Sequence, residues 1–376
     1  MPRDYKFISA DSHLESAPQD WVQRLPKPYQ DLIPPARARS ANQGTYSGLA
    51  PEEFDPVLGS YPEKLAGIGS SQQRLLEMDR DGVDAEVMFS LGIRMRRSEV
   101  SHDDAYKTMV HVFNEWLVEE YCAPDPDRLF GLGQIPDTNL DDAMAELEHC
   151  KKLGLKGVQL RAYPNGGKRP TFADDRFWAA AIEMEMPLAI HLAIDWGTPF
   201  VWASRMTAEP LFEYPKTIEK DLASGELGQR LIRYARAGAI DAIQMILFGV
   251  FDRLPKLHIY WAETQIGWIP NWLEQMDINY RKNRAWSERH LGVKLARYPL
   301  SDYVREHCWW GFVNNPIGVQ LRQHIGVNHV MWSTDFPHIE SDWPDSQAVA
   351  DEMFADVPDD ERYLMTAGNA VEFFHL

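Results

Sequence analysis

Read as hydrophobic and polar positions, the chain alternates short apolar runs with longer stretches of helical period, the pattern of βα units around a parallel sheet. Eight runs read as strands: KFISA (6–10), AEVMFS (85–90), LFGLGQIP (129–136), KGVQLRA (156–162), PLAIHL (187–192), LHIYWAE (257–263), CWWGFV (308–313) and HVMWSTDF (329–336). Between them, residues 102–123 carry apolar side chains at helical spacing and stop before Pro124. Residues 141–154 place carboxylates early, lysines late and Gly154 last, which suits the helix dipole and a C-cap. Eight such units predict an α/β fold, a (β/α)8 barrel in one domain spanning 1–376. Two stretches exceed what a crossover needs: 22–70 after the first strand, rich in Pro, Gly and Ser, and 193–255 after the fifth. Long insertions at the carboxyl ends of barrel strands commonly cover the active site.

Composition narrows the class. Hydrophobic residues at 44% and charged residues at 25% fit a globular chain with a large core. The net charge of −18 argues against nucleic acid and against an anionic membrane surface, since both would repel the protein. Cys122, Cys150 and Cys308 have no CxxC spacing and read as buried reduced thiols. No apolar run is long enough for a membrane span, and FISA is too short for a signal-peptide core, so the expected location is cytoplasmic. Thirteen tryptophans point to an aromatic-lined interior or to a homo-oligomer contact.

In a barrel, side chains at the carboxyl ends of different strands converge on one mouth. The first strand runs into Asp11-Ser12-His13-Leu14-Glu15, where Asp11 and His13 share a face. The fifth carries His191, the sixth ends on Glu263, and the eighth ends on Asp335 with His338 three residues beyond. Each residue also has an ordinary reading: His191 as a core histidine, Asp11 as a cap, Glu263 in a salt bridge, Asp335 in a turn. All four ordinary readings holding together is harder to sustain, because buried carboxylates are costly unless paired or metal-bound. Arg94 and Arg161, after the second and fourth strands, are placed to clamp a substrate carboxylate or to form rim salt bridges. Trp196 and Trp202 suit an apolar lid over a small-molecule substrate, or simple packing.

The phrases ISADSHLESAPQDW, PLAIHL, WAETQIGWIPNWLEQMD, STDFPHIESDWPDS and AGNAVEFF resemble the amidohydrolase-2 family, which includes aminocarboxymuconate-semialdehyde decarboxylase and related aromatic-acid decarboxylases. The resemblance runs from about residue 6 to the C-terminus, apart from much of 22–70 and 193–240. It implies a distorted TIM barrel with a catalytic divalent metal, and places His191 and Asp335 on the family's ligands of strands five and eight. Two positions depart from the family pattern. Glu15 stands where many relatives have the second histidine of DxHxH, and Glu263 stands where the decarboxylases place a catalytic histidine.

An oxygen-rich ligand set moves preference from zinc toward manganese or iron and can neutralise two ions. Asp11, His13 and Asp335 would hold one metal, with His191 and Glu263 available for a second; a single zinc fits as well. Glu15, Glu263 or His338 would shuttle the proton. The expected activity is a metal-dependent hydrolase or non-oxidative decarboxylase of a small carboxylated or cyclic substrate. The alternative is a non-haem iron or diiron oxygenase on the same barrel, since both departures add carboxylates. A catalytically silent binding barrel is disfavoured by His191 and Asp335, although fold alone never proves function.

Overall fold

The structure, a computed structural model, describes residues 3–14, 19–32, 70–90, 102–194, 238–290, 299–338 and 340–376, with a few isolated positions between them. Eight parallel strands follow one another around the sheet in chain order: β1 (Ile8–His13), β2 (Ala85–Phe89), β3 (Leu129–Gly131, resumed at Gly133–Gln134), β4 (Val158–Leu160), β5 (Leu188–His191), β6 (Ile259–Ala262), β7 (Cys308–Phe312) and β8 (Val330–Trp332). Every strand expected from the sequence is present. β3 is interrupted at Leu132, where the backbone turns from β2 to β4: Leu132 N–H donates to Met88 O and Gly133 N–H to Gly157 O.

The ring closes irregularly between β8 and β1. No regular ladder joins these two strands among the described residues. Instead, His13 N–H donates to Phe336 O at 2.7 Å and Asp335 N–H to Asp11 O at 2.9 Å. The Ser9 hydroxyl accepts from Thr334 N–H at 2.9 Å and lies 3.0 Å from the Thr334 hydroxyl. A shift in the β1–β2 register between Ser9 and Ser12 accompanies this seam. The distorted TIM barrel is therefore the observed fold, and its distortion is concentrated where the first and last strands meet.

Alternate residues on each strand face two separate apolar layers. Leu188 and Ile190 of β5, with Ile259 and Trp261 of β6, pack outward among the helices. Ala189, Tyr260 and Ala262 face inward with Phe89, Phe130, Met331 and Trp309. The closing helix, Asn369–Phe374, adds Phe373 and Phe374 to that inner layer. Most of the described tryptophans, including Trp21, Trp178, Trp261 and Trp310, belong to the outer layer. They therefore bind helices to sheet, with Trp309 as the one described exception that joins the inner layer.

Helix α1 (Ser71–Asp81) precedes β2, α2 (Asp103–Trp116) follows it, and α3 (Leu140–Leu153) follows β3. In α3, Asn139 caps the N-terminus and Gly154 takes the left-handed conformation at the C-cap. Of the long stretch after β5, helix α4 (Ala239–Leu247) and a short turn at Val250–Arg253 are described. The three cysteines are buried and unbridged. Among the described residues no helix is long and apolar enough to cross a membrane.

Candidate metal centre

Five side chains predicted from scattered strand ends come together at one point. Asp11, His13, His191, Glu263 and Asp335 each offer a ligand atom, all of these atoms lie within 4.8 Å of one another, and all five residues are buried. Asp11 and His13 are i, i+2 residues of β1 and so share a face. His191 is the last residue of β5, Glu263 follows the last residue of β6, and Asp335 lies just beyond β8. Glu263 and Asp335 adopt positive φ values of 56° and 54°, uncommon for side-chain-bearing residues. A backbone of this kind costs about 1–3 kcal/mol at such positions, and at Asp335 it is held by the seam, where its N–H donates to Asp11 O.

The distances define a compact cage. His13 Nε2 lies 2.7 Å from Asp335 Oδ1 and 3.7 Å from Asp11 Oδ1. His191 Nε2 lies 2.9 Å from Glu263 Oε2 and 3.7 Å from Asp11 Oδ2. The two imidazoles cross at 74° with centroids 4.9 Å apart. Phe89 packs against both rings and supplies an apolar wall. Burial, then the neighbouring His338 and His191, push the His13 pKa well below its ordinary value, which favours the neutral ring that a metal ligand needs. Asp335 Oδ2 is buried without a hydrogen-bond donor, as is His13 Nδ1.

Three buried carboxylates facing two imidazoles form a negative hollow that proteins stabilise with a cation. The donor set is hard to borderline and fits manganese, iron or zinc.

His338 stands at the edge of this cage. Its Nδ1 is 3.0 Å from Asp335 Oδ1, and its ring stacks on His13 at 3.7 Å and 20°. It retains 15% side-chain exposure, whereas Asp335 is sealed. Burial works against its charged form, but the Asp335 carboxylate outweighs that and raises its pKa. A cation on Asp335 would weaken this pull.

Arg161, just past β4, acts electrostatically on Tyr106, which bonds Asp137. Glu15, Arg94, Trp196 and Trp202 lie outside the residues whose side chains are described.

Sequence reasoning missed Arg74. From the middle of α1 its Nη2 donates to His13 O at 3.0 Å and Phe336 O at 3.2 Å, while Nε donates to Glu86 Oε2 at 2.6 Å. Its guanidinium also lies 4.5 Å from the Phe336 ring centroid. One buried cation thus fastens both sides of the seam beside the cage.

A sequence model of the amidohydrolase family matches residues 54–376. The chain is 25% identical over 255 residues to a gamma-resorcylate decarboxylase of Rhodococcus jostii (strain RHA1), covering 63% of this chain and 70% of that protein. Among solved structures, an amidohydrolase from Mycobacterium avium subsp. paratuberculosis K-10 matches with a TM-score of 0.72 at 18% identity, over 99% of this chain and all of that one. A dihydroxybenzoic acid decarboxylase from Polaromonas sp. JS666, solved with manganese and the inhibitor 2-nitroresorcinol, matches with a TM-score of 0.66 at 17% identity, over 99% and 98% of the two chains. At these identities the structural likenesses speak for the barrel alone.

Proposed function

We propose that this chain, which belongs to the amidohydrolase family and is a metal-dependent enzyme of that family, is a non-oxidative decarboxylase of a small aromatic carboxylate. The observation that carries the reading is the convergence of five donors from four strand ends into one buried cage. The decarboxylase names of its relatives support the reaction class, and the manganese bound in a structural neighbour supports a manganese-type ion.

Asp11, His13, His191, Glu263 and Asp335 would hold that ion. When bound, the ion supplies positive charge that orients the substrate's oxygens and stabilises negative charge developing beside the ring. His338, exposed enough to exchange protons with solvent, donates a proton to the ring carbon that bears the carboxylate. The C–C bond then breaks, its electron pair returns to the ring, and CO2 leaves. Phe89 and the sealed floor keep bulk water from the site.

Manganese-loaded protein is to be assayed for CO2 release from dihydroxybenzoates under nitrogen, and release is expected. Turnover confined to iron-loaded protein and dependent on O2 would overturn the reading in favour of an oxygenase. Glu263→Ala separates ligation from proton transfer. We expect the variant to lose its metal; a retained metal with a rate about 10²–10⁴-fold lower would make Glu263 an acid/base group instead.

A further inference from the structure

A second group of donors lies on the outer helices, away from the barrel mouth. His111 and Glu115 are one turn apart on α2, and His149 faces them from α3. Their ligand atoms also lie within 4.8 Å of one another. The i, i+4 spacing on one helix with a third group from its neighbour is a natural way to assemble three ligands across a helix pair.

The arrangement beneath these residues is built from the strand outward. Asn114, fully buried on α2, accepts from Gln134 N–H of β3 at 2.8 Å and donates to Gln134 O at 2.9 Å. The same amide donates to Glu146 Oε1 at 2.7 Å. The other oxygen of Glu146, Oε2, is 3.0 Å from His111 Nδ1. A carboxylate on one imidazole nitrogen fixes the tautomer and directs the lone pair of the other nitrogen outward, as in the carboxylate–histidine–metal arrangement. That other nitrogen, His111 Nε2, lies 3.7 Å from Glu115 Oε1, close to the separation of two ligands on one tetrahedral ion. The His149 ring stacks on His111 at 3.8 Å and 23°, and its Nε2 is buried without a hydrogen-bond partner.

We propose that His111, Glu115 and His149 form a second, peripheral divalent-cation site, with Glu146 as the group that orients His111. Two imidazoles and one carboxylate favour zinc or copper over manganese or magnesium. Side-chain exposures of 43% for His111 and 35% for Glu115 leave the site open to solvent, with room for water as a fourth ligand. Binding requires the stacked rings to fan apart until both Nε2 atoms point at one ion. The nitrogen of His149 forfeits no hydrogen bond in that rotation. The bound ion would tie α2 to α3 and stabilise the folded chain by mass action.

The test is a zinc count on the full chain after equilibrium dialysis and removal of unbound metal. Wild type is expected to retain one equivalent more than His149→Ala and than Glu115→Ala, while manganese-supported turnover is the same in all three proteins. Zinc added to the manganese-loaded protein should raise the melting temperature of wild type and leave that of both variants unchanged. Equal zinc counts in wild type and the two variants would overturn the proposal. Should His149→Ala be damaged by loss of its stacking, Glu115→Ala alone decides, since its half-exposed side chain can be removed without opening the core. The count does not depend on turnover, so it stands or falls apart from the decarboxylase reading.

Discussion

Two clusters of the same residue types sit in opposite surroundings. The central cage is sealed, with three carboxylates and two histidines supplied by the ends of β1, β5, β6 and β8. The outer group on α2 and α3 is half-exposed and has one carboxylate among its three candidate ligands. Solvent screens the outer charges whether or not an ion is present, so that site is optional to the fold. The inner carboxylates have no such screen, and each buried ion costs several kcal/mol unless compensated. Asp81 shows what burial does to a carboxylate with no cation provided. Its pKa rises to about 6 through burial, even though Ser346 donates to it. The comparison teaches that burial, more than ligand identity, sets how strongly a cluster calls for a cation.

The largest expected effect comes from removing charge at the cage. Asp335→Asn should abolish metal retention and turnover while leaving a folded barrel. His191→Ala should also lose its metal. Full metal occupancy in either variant, by elemental analysis, would break the contrast between the two clusters.

Next in size is Arg74→Met. It leaves Glu86 buried without its partner, which should cost about 3–5 kcal/mol in denaturant unfolding. It should also weaken metal affinity roughly 10–100-fold by loosening the carbonyls of His13 and Phe336. Pairing it with Glu86→Gln should restore much of the stability but not the affinity. Recovery of both together would reduce Arg74 to a purely structural role.

The smallest effect sharpens the reference case. Because the folded pKa of Asp81 is raised from 3.8 to about 6, its stabilising contribution is full below pH 3.8 and is lost as pH rises through about 6. Asp81→Asn keeps an oxygen for Ser346 N–H and cannot ionise. Its stability should match wild type near pH 4 and exceed it by at most about 3 kcal/mol above pH 7. A constant difference across that range would show that Asp81 titrates normally.

The barrel was legible because two-sided burial leaves apolar runs, and each of the eight is a strand within a few residues of its expected bounds. The cage was legible because strand ends in such a fold point to one place, so His191, Glu263 and Asp335 could be assembled without distances. Helix α1 shows why Arg74 was not. Its buried face is Ser71, Gln73, Arg74, Glu77, Met78 and Asp81, while Leu76 is 55% exposed. This inverts the usual amphipathic pattern, and a charged helical face ordinarily reads as solvated. The reason for the inversion is largely long-range: Arg74 answers carbonyls 61 and 262 residues away and Asp81 the Ser346 amide, while Glu77 answers the nearby Gly67 amide. The β8–β1 seam was equally hidden, since closure through Ser9 and Thr334 leaves no periodic trace.

That seam ties architecture to chemistry in a way that constrains how the protein can change. Asp11, His13 and Asp335 each act twice, through backbone groups that close the ring and through side chains that line the cage. An insertion or register slip there would reshape the barrel and scatter the donors in one event. A change of side chain alone leaves the hoop intact and alters only its cargo. Substitution at fixed positions on the rim can therefore alter the site without disturbing closure, whereas a change of chain length at the seam cannot.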